Sequence, residues 1–118
     1  MEKILNYIDG EMRAPSSNKY INNYNPSSGQ VYSLIPNSSK KDINSAVDSA
    51  KQAFNDWSTS SKKFRHDVLM SIADKIEENF EALVVAESLD NGKTESLARR
   101  VDIPRASENF RFFATAIL

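Results

Sequence analysis

The apolar positions divide the chain into two regimes. Ile43, Ala46, Val47, Ala50, Phe54 and Trp57 recur at helical spacing, which predicts a helix with one apolar face and reads Phe54 and Trp57 as core. Ser39 and Asp42, a hydroxyl followed three residues later by a carboxylate, form the capping-box pattern in front of it. A polar break at residues 58–61 separates a second helix with Phe64, Val68, Leu69, Ile72, Ala73 and Ile76 on one face. Phe80, Leu83, Val84 and Leu89 continue an apolar surface after a bend near Asn79. Asn91-Gly92 stops that stretch, because glycine tolerates the left-handed cap. Thr94 caps a further helix through Leu97 and Val101, which Pro104 breaks or kinks at Ile103.

Before residue 38 the pattern is extended. Residues 3–8 predict a strand closed by Asp9-Gly10, a hairpin signal, with residues 11–13 returning. Residues 20–24 and 30–35 are two more extended pieces, joined by the turn chemistry of Asn25-Pro26-Ser27-Ser28-Gly29. Tyr20, Tyr24 and Tyr32 are read as packing in this strand region. The expected architecture is therefore α+β: short antiparallel strands, then three or four helices. Residues 1–37 form the strand and loop region and residues 38–118 the helical one.

Composition narrows the function. The 118 residues carry 15 Lys+Arg against 16 Asp+Glu, a net charge of −1. Nucleic-acid binders are usually basic, so that partner class is disfavoured. The longest apolar run, residues 82–86, is too short to span a bilayer. No basic segment followed by an apolar stretch marks a secretory signal, so cytoplasm is the default expectation. With no cysteine and a single histidine, His66, the chain offers no thiol nucleophile and no Cys- or His-rich metal site. His66 lies off the apolar face of its helix and reads as a surface residue. The last stretch, Phe110 to Leu118, is apolar and uncapped, which reads as an element cut in its middle.

Five segments, in order, resemble the N-terminal part of the aldehyde dehydrogenase superfamily. They are Tyr7-Ile8-Asp9-Gly10-Glu11, Tyr24-Asn25-Pro26-Ser27-Ser28-Gly29-Gln30-Val31, the helix from Ala46 to Trp57, the helix carrying Arg65, Leu69, Ala73, Ile76 and Glu77, and Glu87-Ser88-Leu89-Asp90-Asn91-Gly92-Lys93. Ala98-Arg99-Arg100-Val101-Asp102-Ile103-Pro104-Arg105 and Asn109-Phe110-Arg111-Phe112-Phe113-Ala114 resemble the branch that oxidises 2-aminomuconic and 2-hydroxymuconic semialdehydes. Thr94 stands where many superfamily members have proline.

The resemblance implies part of an α/β NAD-binding domain and an NAD-dependent oxidation of an aldehyde to its acid. The family's cysteine nucleophile and glycine-rich dinucleotide turn have no counterpart here, so the chain reads as a fragment that is inactive alone. The resemblance also implies that Arg105, with Val101 four residues before it, contacts the substrate. A guanidinium fork matches the distal carboxylate of such a semialdehyde. It implies further a monovalent cation held by Asp90 and the backbone carbonyls of Asn23 and Tyr24, and a homo-oligomer. From the residues alone, Arg105 is one solvated arginine among Arg99, Arg100 and Arg111, Asp90 is part of a helix stop, and Glu87 and Lys93 are salt-bridge or capping groups. The alternative function is a stand-alone helical interaction module without catalysis.

Overall fold

A computed structural model describes residues 1–118. The chain forms two compact units, Met1–Thr59 and Ser60–Leu118.

The first unit holds every strand and one helix. β1 (Glu2–Lys3), β4 (Tyr20–Tyr24) and β5 (Val31–Pro36) make a three-stranded sheet with β5 in the centre, while β2 (Asn6–Ile8) and β3 (Glu11–Arg13) form a separate hairpin. The hairpin closes through Asp9 and Gly10, both at positive φ (57° and 76°). Positive φ at both turn positions is what a two-residue hairpin loop needs to match the twist of its strands. Two expectations are corrected. The strand predicted over residues 3–8 breaks at Ile4 and Leu5, and its two halves serve different sheets. The sheet is also not wholly antiparallel, because β1 runs parallel to β5, pairing Glu2 with Ser33 and Lys3 with Leu34. Alternation within a strand says which side faces inward; it does not say which distant strand supplies the partner.

The helix α1 (Lys40–Thr59) follows the predicted cap. The Ser39 hydroxyl accepts from the Lys41 N–H at 3.2 Å, and the Asp42 carboxylate accepts from the Ser39 N–H at 2.7 Å. Asp42 does more than cap. It also accepts from the Ser16 N–H at 2.9 Å and the Ser16 hydroxyl at 3.0 Å, which ties the loop after β3 to the start of α1. The N–H donors of Ser39 and Ser16 hold its pKa down at about 2, from an ordinary 3.8. A carboxylate with a depressed folded pKa contributes stability that is complete above its unfolded pKa and is lost as pH falls through the folded one. The tether should therefore weaken between about pH 4 and pH 2. A carboxyl-carbon NMR titration should place the Asp42 midpoint near 2, and a midpoint near 3.8 would show that the tether is absent in solution.

The apolar face of α1 departs from expectation: Ile43, Val47, Phe54 and Trp57 are 40–62% exposed. Phe54 and Trp57 are thus not core. Helical spacing reveals a face that can be buried, not the surface that buries it.

The second unit is helical. α2 (Lys62–Glu78) is capped by the Ser61 side chain, which accepts from the Phe64 N–H at 3.0 Å. Asn79 makes the predicted bend and α3 (Phe80–Asn91) begins directly after it. Gly92, at φ 79°, ends α3 by donating its N–H to the Ser88 carbonyl. Thr94 caps the short α4 (Glu95–Leu97). A π-helical turn over Ala98–Asp102 follows, then α5 (Ile103–Ala116).

That π turn is the form taken by the break expected at Pro104. Proline has no N–H to donate, and its ring crowds the carbonyl of the residue four before it, here Arg100. The chain widens ahead of the proline, and the Ile103 N–H reaches back five residues to the Ala98 carbonyl. Ala98 and Ile103, at the two ends of this turn, are buried with Val84 against Ile76, Phe80 and Leu83. Small buried residues let α2 and α5 pack against each other: Ala73 on α2, Ser107 and Ala114 on α5. On the outer side of α5, Phe112 and Phe113 meet edge to face at 5.2 Å and stay more than half exposed.

Candidate functional site

Arg105 and Val101 flank Pro104 on the outer side of the second unit, Val101 in the π turn and Arg105 in the first turn of α5. Both are exposed, Val101 at 39%. Ala98 and Ile103 anchor the ends of the turn in the core, and Arg99, Arg100 and Val101 between them are exposed, while Asp102 is part-buried.

The structure separates the arginines that sequence alone left equivalent. Arg99 pairs with Glu81 and lies 3.6 Å from Glu95. Arg111 spans Asp74 at 2.7 Å and Glu77 at 3.0 Å, bracing α5 on α2. Glu77 also accepts from the buried Ser107 hydroxyl at 2.6 Å. That hydroxyl, and then Arg111, hold the Glu77 carboxyl below its usual range. Arg105 and Arg100 are exposed and enter no ion pair within the chain. An uncommitted guanidinium can accept an external carboxylate without first breaking an internal bridge.

Lys93 connects the α3 stop to the π turn. Its ammonium donates to Asp102 at 2.9 Å and lies 3.7 Å from Glu87, and its pKa is raised, foremost by Asp102. Glu87 and Lys93 are salt-bridge groups, as the residue pattern suggests. Asp102 is the member that sequence reading missed. It is the last residue of a turn whose pitch could not be foreseen, and nothing in the spacing of 93 and 102 marks them as partners.

The segments proposed to share a cation lie in different units. Asn23 and Tyr24 are in β4, where the pairing with β5 slips between Asn23↔Ser33 and Tyr24↔Val31. The Asn23 amide donates to the Tyr32 hydroxyl at 2.8 Å and the Ser33 hydroxyl at 3.1 Å. A ladder irregularity is where backbone carbonyls are released from regular pairing. Asp90 is the penultimate residue of α3 and is exposed. His66 is partly buried, at 23% side-chain exposure, and sits 2.9 Å from Asp67.

A groove of about 630 Å³ in the first unit was not foreseen either. It runs between the β2–β3 turn and α1, with Asp9, Arg13, Lys40, Lys41, Asp48 and Gln52 among its walls, and the Ser49 hydroxyl donates to Asp9 across it at 3.2 Å. The three glycines serve other ends. Gly10 makes the hairpin, Gly29 ends the turn before β5, and Gly92 stops α3. None opens a helix as a glycine-rich phosphate-cradling loop does.

A family model described as the aldehyde dehydrogenase family matches residues 12–118, and the chain belongs to that family. It is 50% identical over 113 residues to a 2-aminomuconic semialdehyde dehydrogenase of Bos taurus, covering 96% of this chain and 23% of that protein. The protein of the same name from Homo sapiens is 49% identical over the same extent. An aldehyde dehydrogenase from Bacillus cereus, solved as its NAD+ complex, superposes with a TM-score of 0.92 at 34% identity, covering 97% of this chain and 24% of that one. The chain thus spans about a quarter of the length of the curated relatives it matches, and its strands and helices reproduce that part of the aldehyde dehydrogenase fold.

Proposed function

We propose that this chain is the N-terminal part of an NAD-dependent dehydrogenase that oxidises a muconic-type semialdehyde to the corresponding acid. Arg105 takes the distal carboxylate of the substrate, and Val101 lines the apolar path beside it. One observation carries the reading: Arg105, like Arg100, is exposed and uncommitted, whereas Arg99 and Arg111 on the same stretch are tied into bridges, and of the two free arginines Arg105 is the one that the resemblance places against the substrate. The names of the relatives support it, since their semialdehydes carry a carboxylate far from the reacting carbonyl.

The chain has no cysteine, so under this reading the thiol nucleophile belongs to segments outside this sequence, as does the dinucleotide site. NAD bound there would supply the hydride acceptor. The same reading includes a monovalent cation, for which hard oxygen ligands are suited. It also includes a homo-oligomeric, cytoplasmic enzyme.

The test compares two aldehydes of similar length in the full-length enzyme, one ending in a carboxylate and one uncharged. A charge-assisted bidentate contact should favour the first by about tenfold or more in kcat/KM. Equal values, or a preference for the uncharged aldehyde, would overturn the substrate assignment.

A further inference from the structure

We propose that the ion cluster of Glu87, Lys93 and Asp102 is a positioning device that sets where Arg105 stands, and so tunes selectivity for carboxylate-bearing substrates. This rests on the substrate reading of Arg105 given above.

The backbone of Lys93 is held on both sides. Its N–H donates to the Asn91 side chain at 2.8 Å, and its carbonyl accepts from the Ser88 hydroxyl at 2.5 Å. The side chain then reaches from this fixed loop to Asp102 at 2.9 Å, with Glu87 at 3.7 Å behind it. Asp102 is the last residue of the π turn, one after Val101 and three before Arg105.

A π turn is a rare, wide pitch that a helix keeps only where its surroundings hold it. Here Ala98 and Ile103 fix its ends in the core, and the proline removes the competing backbone bond. The Lys93–Asp102 pair adds a lateral tie at the point where the turn passes into α5. The second oxygen of Asp102, Oδ2, is buried without a hydrogen-bond partner. With that oxygen unpaired, Lys93 is the side chain that compensates the carboxylate, and losing it leaves a part-buried charge without a partner. Releasing the tie loosens the turn on the side of Asp102, between Val101 and Arg105, while Pro104 and the buried ends keep its pitch, so both side chains lose a fixed position.

The experiment uses the full-length enzyme with the same two aldehydes and the variants Lys93→Met, Lys93→Arg, Asp102→Asn and Arg105→Ala, together with the double variant Lys93→Met/Arg105→Ala. Lys93→Met and Asp102→Asn should each raise KM for the carboxylate-bearing aldehyde by about threefold to tenfold, with kcat and the uncharged aldehyde little changed. The loss is smaller than that of the contact itself because the guanidinium remains and is only displaced. Lys93→Arg, which keeps the cation, should restore most of the selectivity. In the Arg105→Ala background Lys93→Met should have no further effect on the substrate ratio, since residues acting through one another are not additive.

A parallel fall for both substrates, or full additivity with Arg105→Ala, would overturn the positioning role and leave the cluster a structural brace. If Arg105→Ala shifts the ratio and the Lys93 and Asp102 variants do not, this inference alone fails. If Arg105→Ala leaves the ratio unchanged, the substrate reading fails and takes this one with it.

Discussion

Replacing Arg105 by alanine in the full-length enzyme should lower kcat/KM for a carboxylate-bearing semialdehyde by roughly tenfold to a hundredfold. Under the proposed substrate reading, the substitution removes a charge-assisted contact worth on the order of 1.5–3 kcal/mol. No internal bridge is lost with it, since Arg105 makes none, so the folded state should be little affected. An uncharged aldehyde of similar length leaves no carboxylate unpaired and should lose far less. Lysine at 105 should rescue only part of the activity, because a point charge lacks the planar fork. Arg111→Ala is the informative contrast. It strips Asp74 and Glu77 of their partner and leaves Ser107 as the remaining donor to Glu77, so it should lower stability and affect both substrates alike. An equal drop for charged and uncharged aldehydes in Arg105→Ala would assign Arg105 the bracing role that Arg111 has.

The isolated 118-residue chain should show no aldehyde-dependent reduction of NAD. Acyl chemistry on an aldehyde needs a nucleophile that departs readily from the oxidised carbon, and the chain has no thiol. It also lacks a glycine-opened helix to take the pyrophosphate. Without those parts the whole acceleration, typically about 10⁶-fold or more, is absent rather than reduced. Following the absorbance of reduced nicotinamide with several aldehydes is sufficient, and turnover above a heat-treated control would contradict the account. The exposed faces of α1 and of Phe112–Phe113 give the isolated chain a second expected property, self-association, since contiguous apolar surface of this kind favours it.

Local devices were legible in the sequence because their chemistry is complete within a few residues. Asp9-Gly10 makes its hairpin, Ser39 and Asp42 make their cap, Thr94 caps α4, and Gly92 stops α3, each where the pattern put it. Non-local pairings were not legible. Ser16 on Asp42, Lys93 on Asp102 and β1 alongside β5 join residues 9 to 31 positions apart, and no spacing rule connects them. Pro104 announced a break, but the π pitch needed Ala98 and Ile103 buried at its two ends. The site followed the same division. Arg105 was singled out by a resemblance, while its distinction from Arg99 and Arg111 depends on which acids the fold brings near them. The spacing of Ile43, Val47, Phe54 and Trp57 marks a face of α1 but not its cover, which is a tertiary matter.

The most direct test of the central claim uses a ligand that is itself not turned over. A non-reactive dicarboxylate shaped like the oxidised product should inhibit the full-length enzyme competitively with the semialdehyde. Its inhibition constant should rise about tenfold or more in Arg105→Ala, as expected when a bidentate carboxylate contact is lost. An inhibition constant unchanged by the substitution would show that Arg105 does not hold the substrate carboxylate.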